Sequence, residues 1–120
     1  MTVYVSSAVV IVSDQDASLD FYVDTLGWEV RVDNQMSLDY RFLAVAPPGH
    51  STAIVLGPPK IHGRPALTPG SPRRTDIYLT CDDVRAEHER LSALGVIFDQ
   101  TPEPLPWDGY GARYQDPDGN

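Results

Sequence analysis

The chain lacks the residues on which several classes of protein depend. It has one cysteine, Cys81, in 120 residues, so it can form no internal disulfide, and a secreted disulfide scaffold is excluded. Its 9 basic residues stand against 17 acidic ones, which gives a formal net charge of −8. Binding to nucleic acid or to an anionic membrane needs clustered Lys and Arg, so neither partner is expected.

Long apolar runs and common catalytic motifs are missing as well. The first apolar run covers only residues 8–12, which is too short for a signal sequence or a bilayer span, and no basic segment precedes it. The sequence has no glycine-rich phosphate loop, and no Ser has a His and an Asp at a spacing that marks a catalytic triad. Because neither a signal sequence nor a bilayer span is predicted, we expect a cytoplasmic protein.

What is present is the composition of an ordinary globular domain. Apolar residues make up 42% of the chain and charged residues 22%, so the chain can bury a core and is not expected to be disordered. Since domains typically have about 100–200 residues, the length predicts one domain.

The first half reads as a strand, a helix and three further strands. Residues 3–12 are rich in Val and Ile and predict a strand. Asp14 or Asp16 can cap a helix over 16–26, which has apolar residues at helical spacing and ends at Gly27. The other predicted strands cover 28–32, 40–46 and 52–56.

A proline-rich connector, residues 58–74, separates this half from the next. It holds five of the eleven prolines and shows no periodic pattern. It also carries a local basic patch made of His62, Arg64, Arg73 and Arg74. We interpret it as a solvated, proline-stiffened linker rather than a binding loop.

After the connector the same order begins again. A strand is predicted over 76–81, then a helix capped by Asp82 and Asp83 and ended by Gly95, then strands over 96–98 and 110–115 and a turn over 116–120. The buried face of this helix is predicted to hold Val84, His88, Leu91 and Leu94. Strand, acidic cap, helix and glycine thus recur once at nearly the same spacing, which indicates an internal duplication.

These patterns predict an α+β fold of two βαβββ modules. Module 1 covers residues 1–57, and module 2 covers residues 75–120 and apparently lacks its last strand. The two modules are expected to form a cup-shaped mixed sheet with the helices on its outer face. Because strand 110–115 would keep an unpaired edge, which proteins rarely leave bare, we expect a homodimer or a longer native chain.

Two sequence runs carry a resemblance to a known family. The run from Ser13 to Trp28 (S-D-x-x-x-S-x-x-F-Y-x-x-x-L-G-W) and the terminal D-P-D-G-N, Asp116 to Asn120, resemble the vicinal oxygen chelate superfamily. That superfamily includes glyoxalase I, extradiol dioxygenases and bleomycin-resistance proteins. The resemblance implies the fold just described, although this fold hosts several chemistries.

The resemblance also implies where a metal ion would be bound. In metal-using members two ligands come from each module, and the first three positions correspond here to Ser7, Val55 and Asp76; the fourth would lie after Asn120. A divalent metal needs three or four N, O or S ligands, and only Asp76 supplies a good one. We therefore expect no metal ion and no other cofactor.

Candidate ligand-binding residues follow from strand alternation and from the resemblance. In strand 76–81 alternation places Ile77, Leu79 and Cys81 toward the helix, with Cys81 as an inert core thiol, and Asp76 and Tyr78 on the concave side. Aromatic residues near a cup suit planar ligands. The predicted ligand-binding set is Ser7, Val55, Asp76, Tyr78, Trp107, Tyr110 and Arg113, and no catalytic residue is predicted.

Three classes of function remain open at this stage. The first is a metal-free protein, similar to the bleomycin-resistance branch, that binds a small cationic or aromatic molecule in its concave groove. The alternative is a metal-dependent lyase, isomerase or dioxygenase of the same superfamily with an atypical site. The third is a non-catalytic regulatory domain, which no specific feature supports.

Overall fold

The structure, a computed structural model, describes residues 2–120 and has a curved mixed sheet with two helices. The α+β class that the sequence predicts is confirmed. No helix among these residues is long and apolar enough to cross a bilayer.

The first half forms a four-stranded sheet. Strands β1 (Ser7–Ile11), β2 (Glu29–Ser37), β3 (Tyr40–Ala46) and β4 (Ala53–Gly57) lie in the order β1-β4-β3-β2. β1 pairs parallel to β4, and the other neighbours are antiparallel. A parallel pair needs a crossover connection, and here the helix and the hairpin β2–β3 provide it.

Helix α1 (Gln15–Leu19) begins where the sequence predicts. The Asp14 carboxylate accepts a hydrogen bond from the Ala17 backbone N–H at 3.1 Å, which makes Asp14 the N-cap. The helix continues as a π-helical segment, Asp20–Thr25, and Gly27 follows in the left-handed region with φ 81°.

The core lies between α1 and one face of this sheet. Alternate strand residues (Val10, Leu43, Val45, Ile54 and Leu56) pack there with Tyr22 and Leu26 of the π-helical segment and its end. This alternation is what a strand with one buried face requires. Leu91 and Val96 of the second half join the same core.

The second half is less complete. Helix α2 (Val84–Ala93) begins at its N-cap Asp83, and strands β5 (Phe98–Pro104) and β6 (Tyr110–Tyr114) form a two-stranded antiparallel hairpin. β5 extends well beyond the predicted strand 96–98, as far as Pro104. Its prolines are tolerated because each strand of a two-stranded hairpin has a free edge.

The strand predicted over 76–81 is not formed. This segment belongs to no sheet, and Asp76 has a left-handed φ of 57°. A strand exists only where a neighbouring backbone supplies its hydrogen bonds, and none of residues 2–120 pairs with this segment. The predicted alternation therefore fails beyond Ile77, which packs on the core, and Cys81 is exposed rather than buried.

The predicted buried face of α2 is correct in part. Leu91 is 1% exposed, and His88 packs edge-on against Phe98 with ring centroids 4.5 Å apart. Leu94 is instead 55% exposed, because the helix has ended at its C-cap there.

The D-P-D-G-N segment is a turn, as predicted, and it joins the two halves. Buried Asp116 accepts hydrogen bonds from the Tyr22 hydroxyl at 2.9 Å and from the backbone N–H groups of Asp118 and Asn120. The Asn120 side-chain amide donates to the Ile11 carbonyl, and the Ser13 hydroxyl donates to Asp118 at 2.6 Å. This polar cluster, called the joint below, fixes the second half against α1 and β1.

Candidate functional site

The face of the four-stranded sheet that points away from α1 is the main candidate surface, and we call it the far face. The register pairs Ser7 with Ala53, Val9 with Val55, and Ile11 with Gly57. Across the other strands Val55 pairs with Ala44, and Ala44 with Val32. Directly paired residues point to the same side, so these positions share the far face.

The centre of the far face is sheltered, and its β1 side is open. Ala44 and Val55 are each 3% exposed and Ala46 is fully buried, whereas Val9 on β1 is 46% exposed. None of the three buried residues belongs to the core cluster on the α1 side of the sheet. The far face is therefore a small-residue apolar floor with an accessible edge.

An aromatic pair stands at one end of this floor. Tyr40 and Phe42 lie on the same side of β3 as Ala44 and contact each other edge to face, with ring centroids 6.4 Å apart. Asn34 of β2 pairs with Phe42 and adds an amide at the rim. This end thus offers aromatic surface and one side chain that can both donate and accept hydrogen bonds.

His62 of the connector lies at the same end. A Cβ atom on Gly57 would stand 2.2 Å from the His62 Nε2 and 2.4 Å from its Cδ2, so the imidazole lies directly on the Gly57 backbone. The opposite end has an open cavity of about 490 Å³, lined by Glu29, Arg31, Gly49, His50 and Ser51.

The predicted residues of the β5–β6 hairpin form a separate cluster. Tyr110 lies under the Arg85 guanidinium, whose Cζ is 4.4 Å from the ring centroid. A cavity of about 320 Å³ beside them is lined by Cys81, Asp82, Asp83, Val84, Arg85, Asp108, Gly109 and Tyr110. Trp107 is 78% exposed on the same hairpin, and Arg113 lies 4.0 Å from Asp99.

Asp76 and Tyr78 lie on the unpaired segment. The Asp76 carboxylate makes an ion pair with Arg74 at 3.3 Å, and its side chain is 71% exposed. Tyr78 is 83% exposed. The seven predicted residues thus lie on three elements: Ser7 and Val55 on the far face, Asp76 and Tyr78 on the segment before α2, and the other three on the hairpin.

The strongest charge arrangement lies on the α1 side of the sheet. Arg41 contacts Asp33 at 2.8 Å and Asp16 at 2.7 Å. The hydrogen bond with Arg41 lowers the pKa of Asp33, and the same bonds raise the pKa of Arg41. Because this triad faces away from the far face, it fixes β3 to the helix start and supplies no charge to the candidate site.

The residues at the family's metal positions do not fit a metal ion. Ser7 is a poor ligand, Val55 cannot ligate, and Asp76 is already paired with Arg74. No group of three or more His, Cys, Asp or Glu side chains within residues 2–120 is arranged to hold one.

Several residues of the far face escaped the sequence analysis. Tyr40 and Phe42 lie in a strand with a continuous apolar run, from which the sequence does not show which residues share a face. They are assigned to the far face because they alternate with Ala44, which pairs with Val55 of β4. His62 was grouped with a solvated linker, since nothing local indicates that its ring returns to Gly57. Gly57 at the end of an apolar strand was the one local signal of this contact, because a glycine in a strand often marks a place where another group approaches the backbone closely.

Comparisons with known proteins agree with this fold. The model of the Glyoxalase/Bleomycin resistance protein/Dioxygenase superfamily matches residues 4–120. A superfamily member from Sphaerobacter thermophilus DSM 20745 has a crystal structure that is 41% identical, with a TM-score of 0.87, over 99% of this chain and 93% of the other.

Two further relatives extend the comparison. TnmS3, described as an antibiotic binding protein from Streptomyces sp. CB03234, is 39% identical with a TM-score of 0.79, over 99% of this chain and 91% of its own. The uncharacterized protein YetH of Bacillus subtilis (strain 168) is 28% identical over 117 residues, 97% of this chain and 92% of YetH. Because the family model matches residues 4–120, nearly the whole chain, the chain belongs to the Glyoxalase/Bleomycin resistance protein/Dioxygenase superfamily.

Proposed function

We propose that this protein binds a small planar molecule, aromatic and cationic, on the far face without a metal ion. The observation that carries the proposal is the sheltered apolar floor of Ala44, Ala46 and Val55 beside the aromatic pair Tyr40 and Phe42. Ligand sites are mostly apolar and concave, with a few polar groups that fix orientation. Here Asn34 and Ser7 supply such groups at the rim.

The preference for a cation rests on charge. The formal net charge of −8 produces a negative potential that raises the local concentration of cations. Aromatic rings also attract cations over their faces. Asp76, Tyr78, Trp107, Tyr110 and Arg113 stay in the proposed site as residues that could complete it from the second half.

The similarity to TnmS3 supports a binding role over catalysis. That relative is described as an antibiotic binding protein and shares 39% of its residues with this chain. The polar side chains of the far face are spread along it among residues 2–120: Glu29 pairs with Ala46 at one end, Ser7 lies on β1, and Asn34, Ser37 and His62 lie toward the other end. No group of three or more His, Cys, Asp or Glu side chains among these residues gathers there. We therefore propose sequestration of a ligand, with an antibiotic as the leading class.

We further propose a homodimer, because several backbone edges are unpaired. Within residues 2–120, β1 pairs only with β4, β2 only with β3, β5 and β6 only with each other, and segment 75–81 with nothing. Open edges are templates for pairing with another chain.

Sedimentation equilibrium should give a dimer. Leu79→Lys, at a 51% exposed residue, should shift it toward monomer, and Leu94→Lys, at a 55% exposed residue, should not. A wild-type monomer at all concentrations would refute this assembly.

The binding proposal is tested by fluorescence titration with two planar dyes of opposite charge. Ethidium, a cation, should bind saturably, and anilinonaphthalene sulfonate, an anion, should bind more weakly. Bound ligand should also raise stability, by about 2.7 kcal/mol at a hundredfold excess over Kd. Metal-free bleomycin is the antibiotic to test beside them.

A matched pair of variants locates the site. Val9 on the far face and Val30 on β2 are 46% and 43% exposed, and Val30 pairs with the core residue Val45. Val9→Lys should weaken ethidium binding about fivefold or more, because like charges repel, whereas Val30→Lys should not. Equal effects of the two variants would remove the far face as the site.

Elemental analysis distinguishes a metal-free binding protein from a metal-dependent enzyme. The purified protein should contain no Zn, Ni, Fe or Mn at stoichiometric level, because Ser7 and Val55 cannot replace imidazole and carboxylate ligands. About one metal ion per chain would favour the enzyme. The cytoplasmic location stays a prediction from the single cysteine.

A further inference from the structure

Gly57 ends β4, and its backbone does not need glycine. Its φ lies outside the left-handed region that other residues avoid. What excludes a side chain is His62, since a Cβ would meet its Nε2 at 2.2 Å and its Cδ2 at 2.4 Å. The glycine therefore serves to let the imidazole approach the sheet.

The register places this contact on the far face. Gly57 pairs with Ile11, which shares a side with Ser7 and Val9. Phe42 lies two residues before Ala44 on the same side of β3, and Gly57 lies two residues after Val55, the partner of Ala44. The imidazole thus stands beside Ile11, at the same end of the apolar floor as Phe42.

A tight turn fixes the backbone from which the His62 ring extends. The Arg64 backbone N–H donates to the Pro59 carbonyl at 2.8 Å, the His62 N–H donates to the same carbonyl at 3.2 Å, and the Gly63 N–H donates to Lys60 at 3.3 Å. Pro58 and Pro59 further restrict the backbone entering the turn. The position of His62 is therefore set by the connector and not by a flexible tail.

Packing alone does not explain why a histidine contacts the Gly57 backbone. The His62 Nε2 is buried and has no hydrogen-bond partner among residues 2–120. An unpaired buried polar atom destabilises a fold, and an apolar side chain of similar size would fill the space without that cost. Local violations of this kind are expected at functional sites.

We propose that His62 is the end wall of the ligand site and sets the length of the molecule that the far face accepts. This inference rests on the proposed function and names a specificity-determining residue for it. A planar cation that fits between Ser7 and Gly57 is accepted, and a longer one collides with the imidazole. The connector is then part of the site and not a solvated linker.

The test uses two cationic dyes of different length and two substitutions of His62. Ethidium is compact, and a rod-shaped bisbenzimide dye is longer. His62→Ala removes the wall and should tighten the bisbenzimide about threefold or more, because it frees apolar surface for the ligand to cover, and should leave ethidium within about twofold. His62→Leu keeps the wall and should match wild type for both dyes. His50→Ala, at an exposed histidine at the other end, is the control.

A second measurement needs no ligand. Gly57→Ala places a methyl group where the ring stands, so the ring and its turn must move. Hydrogen exchange should then speed up at the Arg64 amide, which donates to Pro59, and should stay unchanged at the Ala86 amide, which donates to Asp83.

The outcomes separate this inference from the proposed function. If ethidium binds and His62→Ala leaves the bisbenzimide affinity unchanged, His62 is no wall, while the binding proposal stands. If neither dye binds any variant, the far face takes no planar cation and both proposals fail. Unchanged exchange at Arg64 in Gly57→Ala would overturn the placement of His62 itself.

Discussion

The two halves of the sequence have the same predicted order of strand, acidic cap, helix and glycine, yet they fold differently. The first half closes a four-stranded sheet over α1 with a continuous apolar core. The second half has a hairpin, a helix and an unpaired segment, and it contributes mainly Leu91 and Val96 to that core. Sequence pattern alone therefore does not determine whether a strand forms, since a strand also needs a partner.

The joint is what connects the complete half to the incomplete one. Asp116 is 6% exposed and accepts a hydrogen bond from the Tyr22 hydroxyl of the first half. It also accepts from the Asp118 backbone N–H, which stabilises the turn over 116–120. Arg73 reinforces the joint from the connector, through its backbone N–H to Gly119 at 2.7 Å and its guanidinium to Asn120. Removing the joint is the most direct way to make the two halves behave independently.

We expect the largest loss of stability from Asp116→Ala. The change leaves the Tyr22 hydroxyl and two backbone N–H groups without their acceptor, which should lower the free energy of unfolding by about 3 kcal/mol or more. Urea unfolding should measure it. Asp99→Ala, on the hairpin alone, should cost about 1 kcal/mol or less. Similar losses in the two variants would mean that the joint does not connect the halves.

Tyr22→Phe should give the next largest effect and should also depend on pH. It removes the hydrogen bond to Asp116 and should cost about 2 kcal/mol at neutral pH. Burial, and then the charge of Asp116, raise the pKa of Tyr22 above its ordinary 10.0. The folded state thus keeps a proton that the unfolded state loses, so stability is fully present below pH 10 and falls as pH rises above it.

The control for this alkaline effect is Tyr114. Burial, and then the charge of Glu87, raise its pKa to about 12, so it contributes a loss of the same sign between about pH 10 and 12. Tyr22→Phe should therefore reduce the alkaline loss in urea titrations without abolishing it. An unchanged pH dependence in Tyr22→Phe would contradict the burial of that hydroxyl.

The N-cap residues of α1 and α2 allow the two halves to be compared at equivalent positions. Asp14 and Asp83 each accept from a backbone N–H three residues later at 3.1 Å. Replacing either with Ala should cost about 1 kcal/mol. We expect Asp14→Ala to cost more than Asp83→Ala, because α1 covers the sheet and α2 covers a hairpin. The reverse order in thermal unfolding would show that the second half is the more tightly coupled one.

Asp76→Asn should have the smallest effect. The carboxylate is exposed and paired with Arg74, so its loss should change stability by less than about 0.5 kcal/mol. If the second half completes the ligand site, ethidium binding should weaken by about 1 kcal/mol in isothermal titration, since one charge near the cation is lost. Equal affinities would leave Asp76 outside the site.

Much of the first half could be predicted from the sequence, because its signals are local. The Asp14 cap, the break at Gly27 and strand 40–46 depend on neighbouring residues only, and the structure has all three. The same local logic failed at 76–81, where alternation was present and a partner strand was not.

The site was harder to predict than the fold for a related reason. Ser7 and Val55 were located by resemblance, and the register indeed places them on one face. Tyr40 and Phe42 join that face only through pairing across three strands, and His62 reaches it through a turn in the connector. Contacts between residues distant in sequence leave almost no trace in local pattern.

Binding of a planar cation to the far face can be mapped residue by residue in an NMR titration. Ethidium added to isotopically labelled protein should shift the resonances of Val9, Ala44 and Val55 saturably, with Phe42 and His62 at the end of the shifted patch. Saturable shifts confined to the cavity between Cys81 and Tyr110, or no saturable shift at all, would mean that the far face does not bind a planar cation.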